Sequence, residues 1–120
     1  MSEIKESIPS EKIRKELELA IIRGEYTERV PSLLQLASMY GCSDRTGGKV
    51  LRSMVDDGIL VAEQYKGYYI VAGAKQKLLT KHRIHCQNKM EKLVREAKEL
   101  EIEKEMLKNV AVKCIDAVYS

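Results

Sequence analysis

Between Val30 and Val71 turn signals and apolar positions follow one another in an order that few folds satisfy. Pro31-Ser32-Leu33-Leu34-Gln35-Leu36-Ala37-Ser38-Met39-Tyr40-Gly41-Cys42-Ser43 reads as a short capped helix, a glycine turn and a second cap. Ser32 and Gln35 make a capping-box pair, Leu33, Leu36, Ala37 and Tyr40 form the buried side, and Gly41 supplies the stop. Ser43 caps a further helix running to about Asp57, with Val50, Leu51 and Met54 facing inward and Gly58 ending it. Ile59 to Glu63 and Tyr68 to Val71 are short β-prone runs joined by Gln64-Tyr65-Lys66-Gly67, a hairpin. Two short helices at a steep angle with a hairpin behind them is the winged helix-turn-helix plan, whose second helix fits the DNA major groove.

Outside this segment the pattern is helical. Ile13, Leu17, Ala20 and Ile21 recur at helical spacing between Ser10, a candidate N-cap, and Gly24, a candidate stop. Glu11, Arg14, Lys15 and Glu18 lie off that stripe and read as a solvated face. After Gly73, Leu79, Cys86, Met90, Leu93, Ala97 and Leu100 are spaced 7, 4, 3, 4 and 3, a coiled-coil-like stripe. A break near Glu101, either a sharp turn or a bend, leads to Leu107, Val110, Cys114, Ile115 and Val118 on one side of a last helix. The expected fold class is mostly α with a small β-wing. Residues 1–72 form the winged head and residues 73–120 a C-terminal helical region. Stripes of this length must be covered by a second copy or by the chain's own head, and a two-fold dimer is the simplest closed arrangement.

Composition sets limits on both parts. With no Phe and no Trp, the core is aliphatic, helped by Met and Tyr. Residues 1–72 carry 10 Lys+Arg against 11 Asp+Glu, and residues 73–120 carry 11 against 7. A near-neutral head is an awkward match for phosphate, which supplies most non-specific DNA affinity. Cys42, Cys86 and Cys114 stand at no metal-like spacing, and no apolar run approaches the roughly 20 residues that span a bilayer. These features point to a cytoplasmic protein with reduced thiols and no membrane partner.

From about Ile13 to about Leu100 the chain resembles the GntR-family bacterial transcription regulators, and within them the small YtrA-type branch. The resemblance rests on Ala20-Ile21-Ile22-Arg23-Gly24-Glu25-Tyr26, on Pro31-Ser32 to Ala37, and on Val55-Asp56-Asp57-Gly58-Ile59-Leu60. Lys66-Gly67-Tyr68-Tyr69-Ile70-Val71 and Leu93-Val94-Arg95-Glu96-Ala97-Lys98-Glu99-Leu100 add to it. It implies a winged head, two short C-terminal helices that dimerise, and no large effector domain. Leu34 replaces a common Arg, Tyr65 stands where the wing usually has Gly, and the reading helix opens Ser43-Asp44-Arg45-Thr46-Gly47-Gly48 where much of the family has Ser-Arg-x-Thr-Val-Arg. Gly47 and Gly48 are similar to the small-small-Lys pattern of the YtrA-type branch, which aligns Lys49 with a familiar lysine.

On this plan Ser43, Arg45, Thr46 and Lys49 lie at the end of the reading helix that meets base edges, and Arg45, Lys49 and Arg52 share one face at i, i+4 and i+7. Arg45 suits a bidentate guanine contact, Thr46 and Ser43 suit phosphate, and Asp44 either accepts from cytosine or favours the helix dipole. Ser32 and Gln35 sit where the preceding helix crosses the backbone, and Tyr65 and Lys66 form the wing tip. Either member of the pair Tyr68 and Tyr69 can be the core one. His82, His85 and Cys86 superficially suggest a metal site but lack a fourth ligand, so no metal or cofactor is expected. The basic run Lys75, Lys77, Lys81, Arg83 and Lys89 reads as a solvated face, or as charge flanking DNA or an anionic effector. No nucleophile–base pair or phosphate loop is evident, which argues against an enzyme. The expected function is a homodimeric regulator, a repressor on a palindromic double-stranded DNA operator. An interaction adaptor that has lost DNA binding, and a sensor that binds DNA only with a small-molecule effector, are the alternatives.

Overall fold

Pro9 starts the first helix. At φ −57° and ψ 142° it holds the N-cap position and its carbonyl accepts from the amides of Lys12 and Ile13 (3.0 and 3.2 Å), so Ser10 lies inside the first turn rather than capping it. The computed structural model describes residues 8–120 as α1 (Ser10–Ile22), α2 (Leu33–Tyr40), α3 (Asp44–Asp56), β1 (Leu60–Glu63), β2 (Gly67–Ile70), α4 (Ala74–Glu99) and α5 (Lys104–Val118). They divide into two compact units, one ending at Lys81 and the other spanning His82–Ser120.

In the N-terminal unit, Ile13, Leu17 and Ile21 of α1 pack with Leu36 of α2, Val50, Leu51 and Met54 of α3, and Ile59 and Leu60. Ala74 and Leu78 from the first turns of α4 complete this aliphatic core, and Leu79 is only half-buried. The antiparallel hairpin pairs Leu60 with Ile70 and Glu63 with Gly67. A segment that sequence reasoning missed adds to its edge. Arg29 bridges Tyr69, the Val30 amide donates to the Tyr68 carbonyl, and the Ile70 amide donates to the Glu28 carbonyl. Pro31 explains it, because the residue before a proline is pushed into extended backbone. Tyr68 is the hairpin tyrosine that packs on the core.

Glu18 is not solvated: it is 1% exposed. Arg14 Nε donates to it at 2.7 Å and Lys81 Nζ at 2.8 and 3.0 Å. Arg14 also pairs with Asp57 at 2.7 Å and donates to Ser53 Oγ at 3.1 Å, while Lys77 donates to the Asp57 carbonyl. Burial works to lower the Arg14 pKa, and the hydrogen bonds and charges of Glu18 and Asp57 outweigh it, leaving the pKa raised. Lys77 and Lys81 therefore leave the solvated basic run and tie the start of α4 to α1 and to the C-terminal end of α3.

Helix ends follow one scheme. After α1, α2 and α3 a positive-φ glycine (Gly24, Gly41, Gly58) lets its own amide and the following one turn back onto the helix, as in the Cys42 amide to Ala37 carbonyl bond of 3.0 Å. The end of α4 has the same bonds, from Ile102 to Ala97 and from Glu101 to Lys98 (both 3.0 Å), but the left-handed residue is Glu101 at φ 60°. The break is thus a full turn between two helices. In the His82–Ser120 unit, Ala97 is buried, Leu107 is half-buried and α5 has no buried residue.

Glu101→Gly and Tyr65→Gly (φ 67°, 96% exposed) each relieve a side chain held in the left-handed region, and each should raise unfolding free energy by about 1 kcal/mol in denaturant titrations at fixed protein concentration. Glu18→Ala leaves Arg14 with Asp57 alone and takes the Glu18 carboxylate from Lys81, and should cost about 2 kcal/mol. That is less than a fully buried pair, because Lys81 is 53% exposed and water takes up part of its charge.

Candidate nucleic-acid interface

The closeness of α2 and α3 is set by Gly47. A Cβ built there would lie 3.1 Å from Leu33 Cδ1 and 3.6 Å from the Leu33 carbonyl oxygen, so any side chain at this position must displace the Leu33 methyl. At the start of α3, Ser43 Oγ accepts from the Thr46 amide at 3.1 Å and donates to Thr46 Oγ1 at 3.1 Å. The Ser43 proton is thereby used, and the Thr46 hydroxyl keeps its own proton to donate elsewhere. Asp44 sits in the first turn, where its charge favours the helix dipole.

Arg45, Lys49 and Arg52 are exposed on one face of α3, one or two turns apart. None makes a hydrogen bond or salt bridge with any described residue. Like charges at this spacing repel by a few tenths of a kcal/mol per pair, roughly 0.2–0.5. The helix therefore carries a small electrostatic cost that a bound anion would remove.

Ser32 and Gln35 form a complete capping box: the Gln35 amide donates to Ser32 Oγ at 3.2 Å and the Ser32 amide to Gln35 Oε1 at 2.9 Å. The Gln35 side-chain amide and the Ser32 hydroxyl remain as donors at the helix N-terminus. Next to them Leu34 is 68% exposed, an apolar residue on the same helix end. At α2's other end, burial and then the charges of Glu16, Tyr26 and Glu25 push the Tyr40 hydroxyl pKa up. Tyr40 is thus neutral in the fold, and what that neutrality contributes is lost only as pH rises through the alkaline range.

Tyr65 and Lys66 form the exposed tip of the hairpin, closed by the Lys66 amide donating to the Glu63 carbonyl at 3.0 Å. Arg29, which sequence reasoning did not single out, donates from Nη1 to the Lys66 carbonyl at 3.3 Å and sets a second cation at the tip. Its position three residues before the Ser32 cap, in the stretch forced extended by Pro31, is the signal that could have found it. The structure thus gathers the site residues into three groups: the α3 face, the α2 N-terminus and the wing tip.

In the C-terminal unit Cys86, Met90, Leu93, Leu100, Val110, Cys114 and Ile115 are exposed. Among the described residues no His, Cys, Asp or Glu side chains gather in a group of three that could hold a metal ion. No helix of the described residues is long and apolar enough to cross a membrane.

No protein-family model and no curated protein matches the chain. Solved structures do. A transcriptional regulator from Oenococcus oeni superposes with a TM-score of 0.77 at 11% identity, covering 95% of this chain and 97% of that one. A GntR family transcriptional regulator from Listeria monocytogenes gives 0.73 at 18% identity, covering 92% and 98%. S. agalactiae BusR, solved in complex with its busAB-promotor DNA, gives 0.54 at 20% identity, covering 93% of this chain and 56% of that one. At these identities the likeness speaks for the fold: a winged helix-turn-helix followed by C-terminal helices, as in the GntR-family transcription regulators.

Proposed function

We propose that this chain is a sequence-specific DNA-binding transcription regulator that acts as a homodimer on a two-fold operator and represses by occupying it. The observation that carries the reading is the outer face of α3, where Arg45, Lys49 and Arg52 are exposed and make no salt bridge with any described residue. In helix-turn-helix docking this helix enters the major groove, where arginine pairs with guanine and lysine with base or phosphate oxygens. Thr46, Ser32 and Gln35 add phosphate donors, and Tyr65, Lys66 and Arg29 supply the wing contact. BusR, which has this fold, binds promoter DNA, which is in keeping with the reading.

The dimer is supported by the C-terminal unit, where Met90, Leu93, Val94, Leu100, Val110 and Ile115 lie in water in a single copy. A patch of that extent on a single chain calls for a partner, and a second copy closes it with one two-fold axis. A reading as an interaction adaptor is favoured by one observation, the exposed Leu34 and Met39 on α2.

Fluorescence anisotropy with DNA upstream of the chain's own gene, and with a duplex pool of random sequence, separates these readings. The expected result is tight binding that weakens steeply with salt, lost by at least roughly a hundredfold in the Arg45→Ala/Lys49→Ala variant. Sedimentation should give a dimer mass, reduced to monomer by Leu93→Glu/Val110→Glu, with affinity falling in parallel. Absence of binding at low salt to both DNAs overturns the proposal in favour of the adaptor or of the sensor that binds DNA only with an effector. Binding unchanged in the α3 variant overturns the assignment of the reading helix.

A further inference from the structure

Two adjacent glycines inside a helix of 13 residues each weaken it relative to alanine, and packing explains only one of them. Gly47 faces α2 closely, a Cβ there standing 3.1 Å from Leu33 Cδ1. Gly48 does not: the nearest α2 atom to a Cβ at that position, Leu33 Cδ1, would stand at 3.7 Å, an ordinary contact. What occupies the place of the missing methyl is Arg52. Its Nη1 would lie 2.9 Å and its Cζ 3.7 Å from a Cβ on Gly48. The guanidinium, with no carboxylate to hold it, is laid back along α3 over bare backbone, toward the helix's N-terminal half.

We propose that Gly48 is a positioning residue for Arg52, the absent side chain forming the seat that holds the guanidinium ready to donate to an acceptor on duplex DNA. This rests on the DNA-binding reading above. An exposed arginine otherwise samples many rotamers, and freezing them on binding costs affinity. The seat confines the side chain before DNA arrives. A methyl at position 48 displaces only the far end of a flexible side chain, so the fold has no reason to resist it. The glycine thus trades helix stability for a placed cation.

The test uses the full chain and a duplex recovered from a random-sequence pool by the unaltered protein. Wild type, Gly48→Ala, Arg52→Ala and the double variant are compared by anisotropy and by thermal melting at fixed concentration. Gly48→Ala should melt at or above wild type, because alanine is the better helix former, yet bind about fivefold more weakly. Arg52→Ala should lose roughly tenfold. The double variant should bind no more weakly than Arg52→Ala alone, the coupling expected when one residue acts through the other. Wild-type affinity for Gly48→Ala, a penalty that persists undiminished without Arg52, or a Gly48→Ala melting point well below wild type would each overturn the proposal. If a duplex is recovered and Arg52→Ala binds it normally, the positioning role alone fails. If no duplex is recovered, the DNA-binding reading fails and takes this one with it.

Discussion

A carboxylate inside an aliphatic core must be neutralised where it sits, and in the N-terminal unit this requirement links three helices. Glu18 on α1 draws Arg14 from its own helix and Lys81 from α4. Arg14 in turn reaches Ser53 and Asp57 at the far end of α3. Apolar packing of Leu17, Met54 and Leu78 could tolerate small rotations of these helices, because dispersion contacts are individually weak and non-directional. Hydrogen bonds to a buried charge tolerate far less. The network thus fixes the C-terminal end of α3, while Gly47 fixes its N-terminal half against α2. With both ends held, the exposed face of α3 is presented at one angle.

Local rules were legible wherever the chain spends a special residue. Ser32 with Gln35, Ser43, Gly41 and Gly58 mark helix boundaries through chemistry confined to a few neighbours, and the structure places them so. The left-handed residues Tyr65 and Glu101 were legible only as points of punctuation, because neither side chain announces a positive φ. The Ser10 cap misled because Pro9 beside it starts the helix with its carbonyl and needs no hydroxyl.

Other features depend on partners far along the chain. On α1, Glu18 lies on the flank of the Leu17–Ile21 stripe, and sequence spacing cannot tell a carboxylate that water solvates from one that Lys81 reaches across 63 residues. The same holds for Arg29, whose role at the wing tip exists only because the chain returns to lie beside β2. In the C-terminal unit the spacing did mark an apolar stripe. A stripe shows that a surface needs covering, and the identity of the cover belongs to another chain or another part of this one.

The near-neutral charge of residues 1–72 illustrates why a count is a poor guide to a surface. Glu18 and Asp57 appear in that sum as negative charges, yet Arg14 and Lys81 neutralise them within the fold. Arg45, Lys49 and Arg52 appear in it as positive charges that make no salt bridge with any described residue. Burial removes Glu18 from the outside, Asp57 stays exposed but paired, and three cations remain on one exposed helix face. Interactions between exposed charges fade beyond roughly 8–10 Å at ordinary ionic strength, so an anion at α3 responds mainly to that local cluster. A head can therefore be neutral in sum while one helix face exposes three cations, because part of its acid is tied up in ion pairs with α1 and α4.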